Sequence, residues 1–262
     1  MAHAPSVADV TVIKLEEVDS TNRWLKENRK ESGLPLMVYA VSQTAGRGQR
    51  GNSWEAENGK NLTASIGFVP YGVEPKRQFS ITLAVSLAVT DLLAEKGIEA
   101  KVKWPNDIYV GESKIAGILI ENSIMGREIT ETVAGIGLNV NQTEFHSDAP
   151  NPVSMAQLTG LTYDIDDMAA LLVEKVTLRL SGMSYSEQGP EKLMEEYMAK
   201  LWRHDGRPHR FLDRKEMRQK WAYIVSVAPD GVIALRDTEG NETGYYFKEI
   251  EFLPEDDSES LT

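Results

Sequence analysis

The 262-residue sequence contains no cysteine. That excludes a disulfide framework, a thiolate nucleophile and a thiolate metal site. Histidine is scarce, with four in the chain. His3 sits in a short tail, His146 stands alone, and His204 and His209 flank a Gly/Pro turn, so no His-Glu-x-x-His zinc spacing exists. The opening residues lack a basic n-region and an apolar stretch, so they do not read as a signal peptide, and a cytoplasmic protein is expected. The longest apolar helix candidate, residues 81–94, is broken by Thr, Ser and Asp and does not read as a membrane span. Basic residues are outnumbered, 28 Lys+Arg against 40 Asp+Glu, for a net charge of -12. This argues against broad nucleic-acid binding and leaves a local basic pocket open. Residues 249–262 hold six acids and no base, which leaves -6 for residues 1–248.

What is present is a globular composition, 41% apolar, with enough length for one substantial core and a small second domain. Residues 1–9 read as a tail and residues 12–15 as a strand. Asp19, Ser20, Thr21 and Asn22 offer N-cap side chains to a helix that Gly33 and Pro35 end. Strands are expected at 36–42 and 62–69, with a Gly/Arg loop between them. Residues 78–96 carry the clearest helical periodicity, closed by Gly97. A dense strand group follows at 101–104, 108–110, 114–121 and 130–138, covered by helices at 167–180 and 190–201. Beyond Gly206 the character changes to short strands at 221–228, 231–236 and 243–250, a small all-β unit beginning near 207.

Residues 46–51, Gly-Arg-Gly-Gln-Arg-Gly, match G-x-G-x-x-G after a strand. A dinucleotide fold needs a helix directly after that loop to receive the pyrophosphate. The continuation Asn-Ser-Trp-Glu-Ala-Glu-Asn-Gly is a poor helix, and no acid stands about 20 residues on. Asn52-Ser53 also replaces the Lys-Ser/Thr pair of a P-loop. What remains is a loop of glycines and two guanidiniums, either a solvated turn or a place where Arg47 and Arg50 meet an anion.

A second basic group, Lys101, Lys103 and Lys114, brackets Trp104-Pro105-Asn106-Asp107. Lys101 and Lys103 share one strand face, and Trp104 points to the core. These lysines read either as hairpin decoration or as fixed ammoniums for a site. Lys114 opens the apolar run 115–120, where Gly117 weakens a strand as it would where a ligand or backbone comes close. The run Gly135-Ile136-Gly137-Leu138-Asn139 repeats that feature.

Together these segments resemble the biotin–protein ligase family, over about residues 12–253. The match carries Asp19-Ser20-Thr21-Asn22, Gln43 through Gly51 with Trp54, Lys103 through Asp107, Lys114 through Leu119, and Gly135 through Asn139, in order. The resemblance implies an α+β catalytic domain, residues 1–206, like that of class II aminoacyl-tRNA synthetases, with a mixed, largely antiparallel sheet. It also implies an SH3-like barrel with an acidic tail at residues 207–262. It implies ATP-dependent activation of biotin to biotinyl-5′-AMP, with Mg²⁺, and transfer to a lysine of a biotin carboxyl carrier domain.

By the same resemblance Lys114, Arg47, Arg50 and Lys103 are catalytic. Ser20, Thr21, Asn22, Gln43, Gly46, Arg47, Lys114 and Gly117 bind biotin. Arg47, Arg50, Trp54, Lys103, Asn106, Asp107, Lys114 and Asn139 bind ATP. Asp107 supports Mg²⁺ or is an ordinary turn residue, and Trp54 covers the adenine or packs the loop. Gln49 stands where many members have a third basic residue. A helix-turn-helix domain does not fit in the 11 residues before the match, so a monofunctional form without DNA binding is implied. No membrane partner is expected, and monomer and homodimer stay open. A lipoate–protein ligase or octanoyltransferase shares the fold, but the loop with Trp54 and the Lys103–Asp107 motif favour biotin. A sensor without transfer chemistry is disfavoured by Lys114 and the loop arginines.

Overall fold

The computed structural model describes residues 9–48, 53–146, 151–185 and 189–255. Residues 1–8, most of the expected tail, lie outside them, as do Gln49, Arg50 and Gly51 of the loop and the last seven residues of the acidic tail.

A seven-stranded sheet organises the first half of the chain. Its strands are β1 (Thr11–Val18), β2 (Leu36–Gln43), β3 (Leu62–Phe68), β4 (Lys101–Lys103), β5 (Asp107–Val110), β6 (Ser113–Met125) and β7 (Glu128–Leu138). Their spatial order is β1-β2-β3-β7-β6-β5-β4. The β1–β2 pair is parallel because helix α1 (Thr21–Ser32) returns the chain between them. The other pairs are antiparallel. This is the mixed, largely antiparallel sheet of an α+β protein.

The period-2 alternation of strands sorts the two faces. Leu62, Ala64, Ile66 and Phe68 of β3, with Ala134, Ile136 and Leu138 of β7, join the main core. That face is covered by α2 (Phe79–Glu95), α4 (Ile165–Tyr185) and α5 (Gly189–Ala199). Helix α2 is apolar all round because it lies in the middle of this layer, with Ile81, Ala84, Leu87 and Leu92 fully buried. The stretch Pro75–Glu95 is long and apolar enough to cross a membrane, with mean hydropathy 1.3, but 67% of its apolar window is buried inside the fold. The alternate residues face the other way. There α1 sets Leu25 against Leu36, Val38 and Val133 in a smaller cluster, and the rest of that face is left to small and polar side chains.

Two boundaries differ from the sequence expectation. Helix α3 (Met155–Thr159), which the sequence reading lacks, is held by a capping box between Ser154 and Gln157 and is closed by Gly160 in the left-handed region. The strand expected at 243–250 is two strands, β11 (Glu242–Tyr245) and β12 (Ile250–Phe252). A turn at 246–249, with Lys248 at φ 74°, separates them.

The all-β unit expected from near 207 is a five-stranded sheet. It adds β8 (His209–Asp213), β9 (Arg218–Val227) and β10 (Ile233–Asp237), in the order β11-β10-β9-β8-β12. Its pairings are antiparallel, and it is not closed into a barrel. Strand β8 is missing from the sequence expectation because His, Arg and Asp occupy three of its five positions, yet it alternates buried and half-buried residues as a strand should. This sheet joins the main one directly. Trp104 donates from Nε1 to the Gly231 carbonyl at 3.0 Å, and the buried apolar residues of both sheets form one continuous cluster.

Candidate active site

The polar face of the large sheet and the near edge of the small one enclose a pocket of about 1200 Å³. Its walls include Ser20, Thr21, Asn22, Gln43, Arg47, Trp54, Lys103, Asn106, Asp107, Lys114, Gly117 and Asn139. These come from five separate sequence segments and include every described residue assigned to the site except Gly46; Lys101, the third lysine of the basic group, is exposed and lies outside the pocket. Arg50 lies outside the described residues. Gly46 instead anchors the loop. Its carbonyl accepts the Trp54 N–H at 3.1 Å, and a Cβ at this position would meet the Trp54 carbonyl at 2.6 Å. Residues 54–57 are not helical, so the glycine loop does not open onto a dinucleotide-type helix.

One end of the pocket is polar and uncharged. Ser20 occupies the N-cap position of α1, but its side chain makes no capping bond. The first helical N–H, from Thr21, reaches across to Gln43 Oε1 at 2.8 Å, and the Thr21 hydroxyl stands 3.1 Å from the same oxygen. The start of α1 is thus tied to the end of β2. Asn22 lies against Gly135, where a side chain would overlap its amide. It donates to Glu121 Oε2 at 2.8 Å. Asn22 is therefore in the wall, with its amide engaged behind it. Glu121 also receives Lys26 at 2.7 Å. Burial pushes the Glu121 carboxyl up, but the bonds from Lys26 and Asn22 outweigh it and hold the acid below its ordinary range.

The floor is glycine. The Trp54 indole lies on Gly117 of β6 and Gly137 of β7. A Cβ on Gly117 would meet the ring at 3.0 Å, and one on Gly137 would overlap it. The indole N–H is buried with no hydrogen-bond partner. The close approach that glycines in these strands suggested is made, in this structure, by the protein's own tryptophan.

The other end is cationic. A bulge in β6 shifts its register, so that Tyr109 faces Lys114 while Ile108 faces Ala116. A one-residue slip turns a side chain to the opposite face. Lys114 accordingly reaches over Gly117 and pairs with Asp107 at 2.7 Å. Lys103 is packed among rings, with its Nζ 4.5 Å from the Tyr109 centroid, 4.9 Å from Trp202 and 5.6 Å from Phe252. It donates to the Tyr109 hydroxyl at 3.0 Å. Burial lowers the Lys103 ammonium below the usual lysine range, and Asp107 only partly opposes this. The Tyr109 phenol is pushed up by burial.

Asn106 donates to the Ile118 carbonyl. Asn139 donates to the Val153 carbonyl at 3.1 Å. Both amides brace the wall through backbone. Among the described residues no group of three His, Asp or Glu side chains is placed to hold a metal.

Three pocket cations escaped the sequence reading: Arg203, Arg214 and Lys248. Arg203 is buried at 5% exposure. It stacks on Trp202 at 4.0 Å and donates to Glu112 at 2.9 Å and the Leu253 carbonyl at 2.7 Å. No local motif marks these residues, because the segments after α5 and around β12 reach the pocket only through the packing of the second sheet. Ser65, fully buried behind Thr21 and Asn22, was also missed.

Fold and pocket together define an α+β protein with a deep ligand cleft, cationic at one end and hydrogen-bonding at the other. Residues 15–139 match the biotin/lipoate A/B protein ligase family. The chain is 32% identical over 171 residues to the biotin–[acetyl-CoA-carboxylase] ligase of Mycobacterium tuberculosis, covering 63% of this chain and 62% of that one. It is 31% identical over 171 residues to the bifunctional ligase/repressor BirA of Salmonella typhimurium, covering 64% of this chain and 53% of that protein. The chain thus spans about half the length of that relative. A biotin protein ligase from Aquifex aeolicus, solved in complex with biotin and ATP, shares the fold with a TM-score of 0.77. The two are 24% identical, covering 94% of this chain and 99% of that one.

Proposed function

We propose that this protein activates biotin with ATP, forming biotinyl-5′-AMP and pyrophosphate, and then transfers biotin to a lysine of a biotin carboxyl carrier domain. The observation that carries this reading is the convergence of five dispersed segments on one pocket with a hydrogen-bonding end and a cationic end. A carboxylate that must attack a polyphosphate meets charge repulsion, and fixed cations between the two remove it. Lys114 is the group for that position, since it stands over the glycine floor between the polar end and Asp107. In the first step a biotin carboxylate oxygen bonds to the α-phosphorus as the bond to pyrophosphate breaks. Arg47, Lys103 and Lys114 face the charge that develops. In the second the carrier lysine, as a free amine, attacks the acyl carbon, AMP leaves with the electron pair of the anhydride bond, and the nitrogen gives one proton to solvent to become the amide. Arg50 is assigned to the same charge by its place in the glycine loop.

Biotin's ureido ring is assigned to the polar end, where Ser20, Thr21 and Gln43 offer partners for a group that is costly to bury unpaired and Asn22 completes the wall. ATP is assigned to the cationic end, with Asn106, Asp107 and Asn139 in its wall and Trp54 at its border. The donor set does not make a metal cage of its own. It fits a Mg²⁺ ion that arrives with the phosphates and takes one carboxylate, Asp107, from the protein. Bound there, Mg²⁺ would neutralise phosphate charge. We assign residues 1–206 to a class II synthetase-like catalytic domain and 207–262 to an SH3-like unit. The switch to five short antiparallel strands after residue 207 supports the division.

The test is incubation with labelled biotin, ATP, Mg²⁺ and a carrier domain, following pyrophosphate release and label on the carrier. Label on one carrier lysine is expected. Absence of both signals overturns the reading.

A further inference from the structure

Behind the polar end of the pocket runs a chain of side chains that starts outside the pocket lining, at Lys26 and Glu121, and ends in its wall at Thr21 and Gln43. Lys26 Nζ bonds Glu121 Oε1 at 2.7 Å. Asn22 Nδ2 bonds Glu121 Oε2 at 2.8 Å. Ser65 Oγ bonds Asn22 Oδ1 at 2.5 Å and stands 2.7 Å from Thr21 Oγ1. Thr21 in turn meets Gln43 Oε1 through its N–H at 2.8 Å and its hydroxyl at 3.1 Å. Ser65 is fully buried, Asn22 3% exposed and Thr21 4% exposed. Register makes the chain possible. Ser65 of β3 pairs with Gly135 of β7, which pairs with Leu119 of β6. The absent side chain at Gly135 admits the Asn22 amide between them.

An amide can face either way and a hydroxyl holds a single proton, so such a chain has a direction that something must set. Ionised Glu121 accepts only. Its two oxygens take Lys26 and the Asn22 amide nitrogen, so Asn22 Oδ1 must face Ser65. The single Ser65 proton then goes to Asn22, and Ser65 Oγ is an acceptor toward Thr21. Thr21 gives its own proton inward, to Ser65 at 2.7 Å or Gln43 at 3.1 Å, and keeps lone pairs for the pocket. Gln43 Oε1 is held by the Thr21 N–H, so its amide nitrogen is turned away from Thr21.

We propose that Glu121, acting through Asn22 and Ser65, is a positioning residue that fixes the hydrogen-bond polarity of the Thr21 hydroxyl, beside a Gln43 amide that the Thr21 N–H orients, and so favours a cyclic urea as the head group. The pocket then offers an acceptor beside a donor, the complement of adjacent N–H and C=O groups. This rests on the reading of biotin as substrate and adds the origin of its selectivity. The bonds that hold the Glu121 carboxyl below its ordinary range keep it an acceptor across the neutral range.

Glu121→Gln removes the constraint, because an amide donates as well as accepts and lets Asn22 turn over. The measurement is titration of the full chain with biotin and with lipoate, whose dithiolane ring makes no such bonds. Steady-state kinetics and thermal unfolding are recorded on the same variants. Glu121→Gln is expected to weaken biotin about tenfold, the scale of one misdirected buried hydrogen bond. Lipoate binding should stay within twofold, and KM for biotin should rise with kcat unchanged. Ser65→Ala interrupts the chain at its middle and should lower the biotin-to-lipoate ratio in the same way, and it carries the test if Glu121→Gln does not fold. Equal weakening of both ligands makes the role merely structural and overturns the proposal. So does biotin affinity within twofold of wild type in a folded Glu121→Gln or Ser65→Ala protein. Wild-type protein that shows no preference for biotin overturns the reading of function, and the relay with it.

Discussion

The two ends of the pocket are built on opposite plans. At the polar end Thr21, Asn22, Ser65 and Gln43 are linked to one another and to Glu121 by hydrogen bonds of 2.5–3.1 Å. The site is formed before a ligand arrives, which reduces the ordering cost of binding. At the cationic end the charges are parked on substitutes. Lys114 rests on Asp107, Lys103 rests among the rings of Tyr109, Trp202 and Phe252, and Trp54 lies on the glycine floor. The partners of the two lysines are ones that an incoming anion would compete with for the same ammonium groups. A rigid end suits a head group that is carried through both chemical steps unchanged. An exchangeable end suits groups that react and leave.

Breaking the cationic end should have the largest effect. Lys114→Ala removes the one ammonium that reaches over Gly117, and a single donor aimed at developing charge is worth roughly 10²–10³ in rate. Pyrophosphate release should fall by about that factor, while direct biotin binding falls much less. If the two fall together, Lys114 serves binding alone and the contrast between the ends is lost. Next in size is the floor. Gly137→Ala places a methyl inside the space of the Trp54 ring. Gly137 is not in the left-handed region, so the effect is steric. Overpacking of this kind costs about 1–3 kcal/mol, and biotin affinity should fall roughly tenfold as Trp54 is forced out of place. Fluorescence of the variants against wild type, with and without biotin, reports that displacement. An unchanged affinity would mean that Trp54 leaves the floor freely whenever ligand binds.

The contrast also explains what was legible in the sequence. The polar end and the floor are written in contiguous motifs, because Ser20-Thr21-Asn22 begin one helix and Gly135 and Gly137 sit two apart on one strand. Strand and helix periodicity recovered the sheet and its covering helices to within a few residues. Ser65 escaped because an isolated serine in an apolar strand carries no local mark, and its role depends on lying across from Gly135. Arg203 and the ring cage around Lys103 escaped because Trp202 and Phe252 lie about 100 and 150 residues from Lys103 in sequence. Only the packing of the second sheet against the first unites them. The split of β11 from β12 turned on Lys248 at φ 74°, a backbone state that composition does not reveal for a lysine.

The smallest expected effect separates the ends by pH. Burial among aromatic rings favours the neutral form of Lys103, so its folded-state pKa lies below the usual lysine value of 10.5. Lowering the pKa of a cationic acid means that charge is lost earlier as pH rises. ATP affinity should therefore begin to weaken at a pH below that at which exposed lysines titrate. The same displacement makes phosphate binding take up protons in that window, since an anion beside Lys103 restores the charged form. Lys103→Arg keeps a charge that does not titrate there. It should flatten the rise of KM for ATP with pH, even if the longer guanidinium costs a few-fold in affinity at neutral pH. Glu121 has its pKa displaced downward and stays ionised at and above its ordinary value, so KM for biotin should not follow the alkaline change. An alkaline loss shared equally by ATP and biotin would place the titrating group elsewhere and join the two ends into one electrostatic unit.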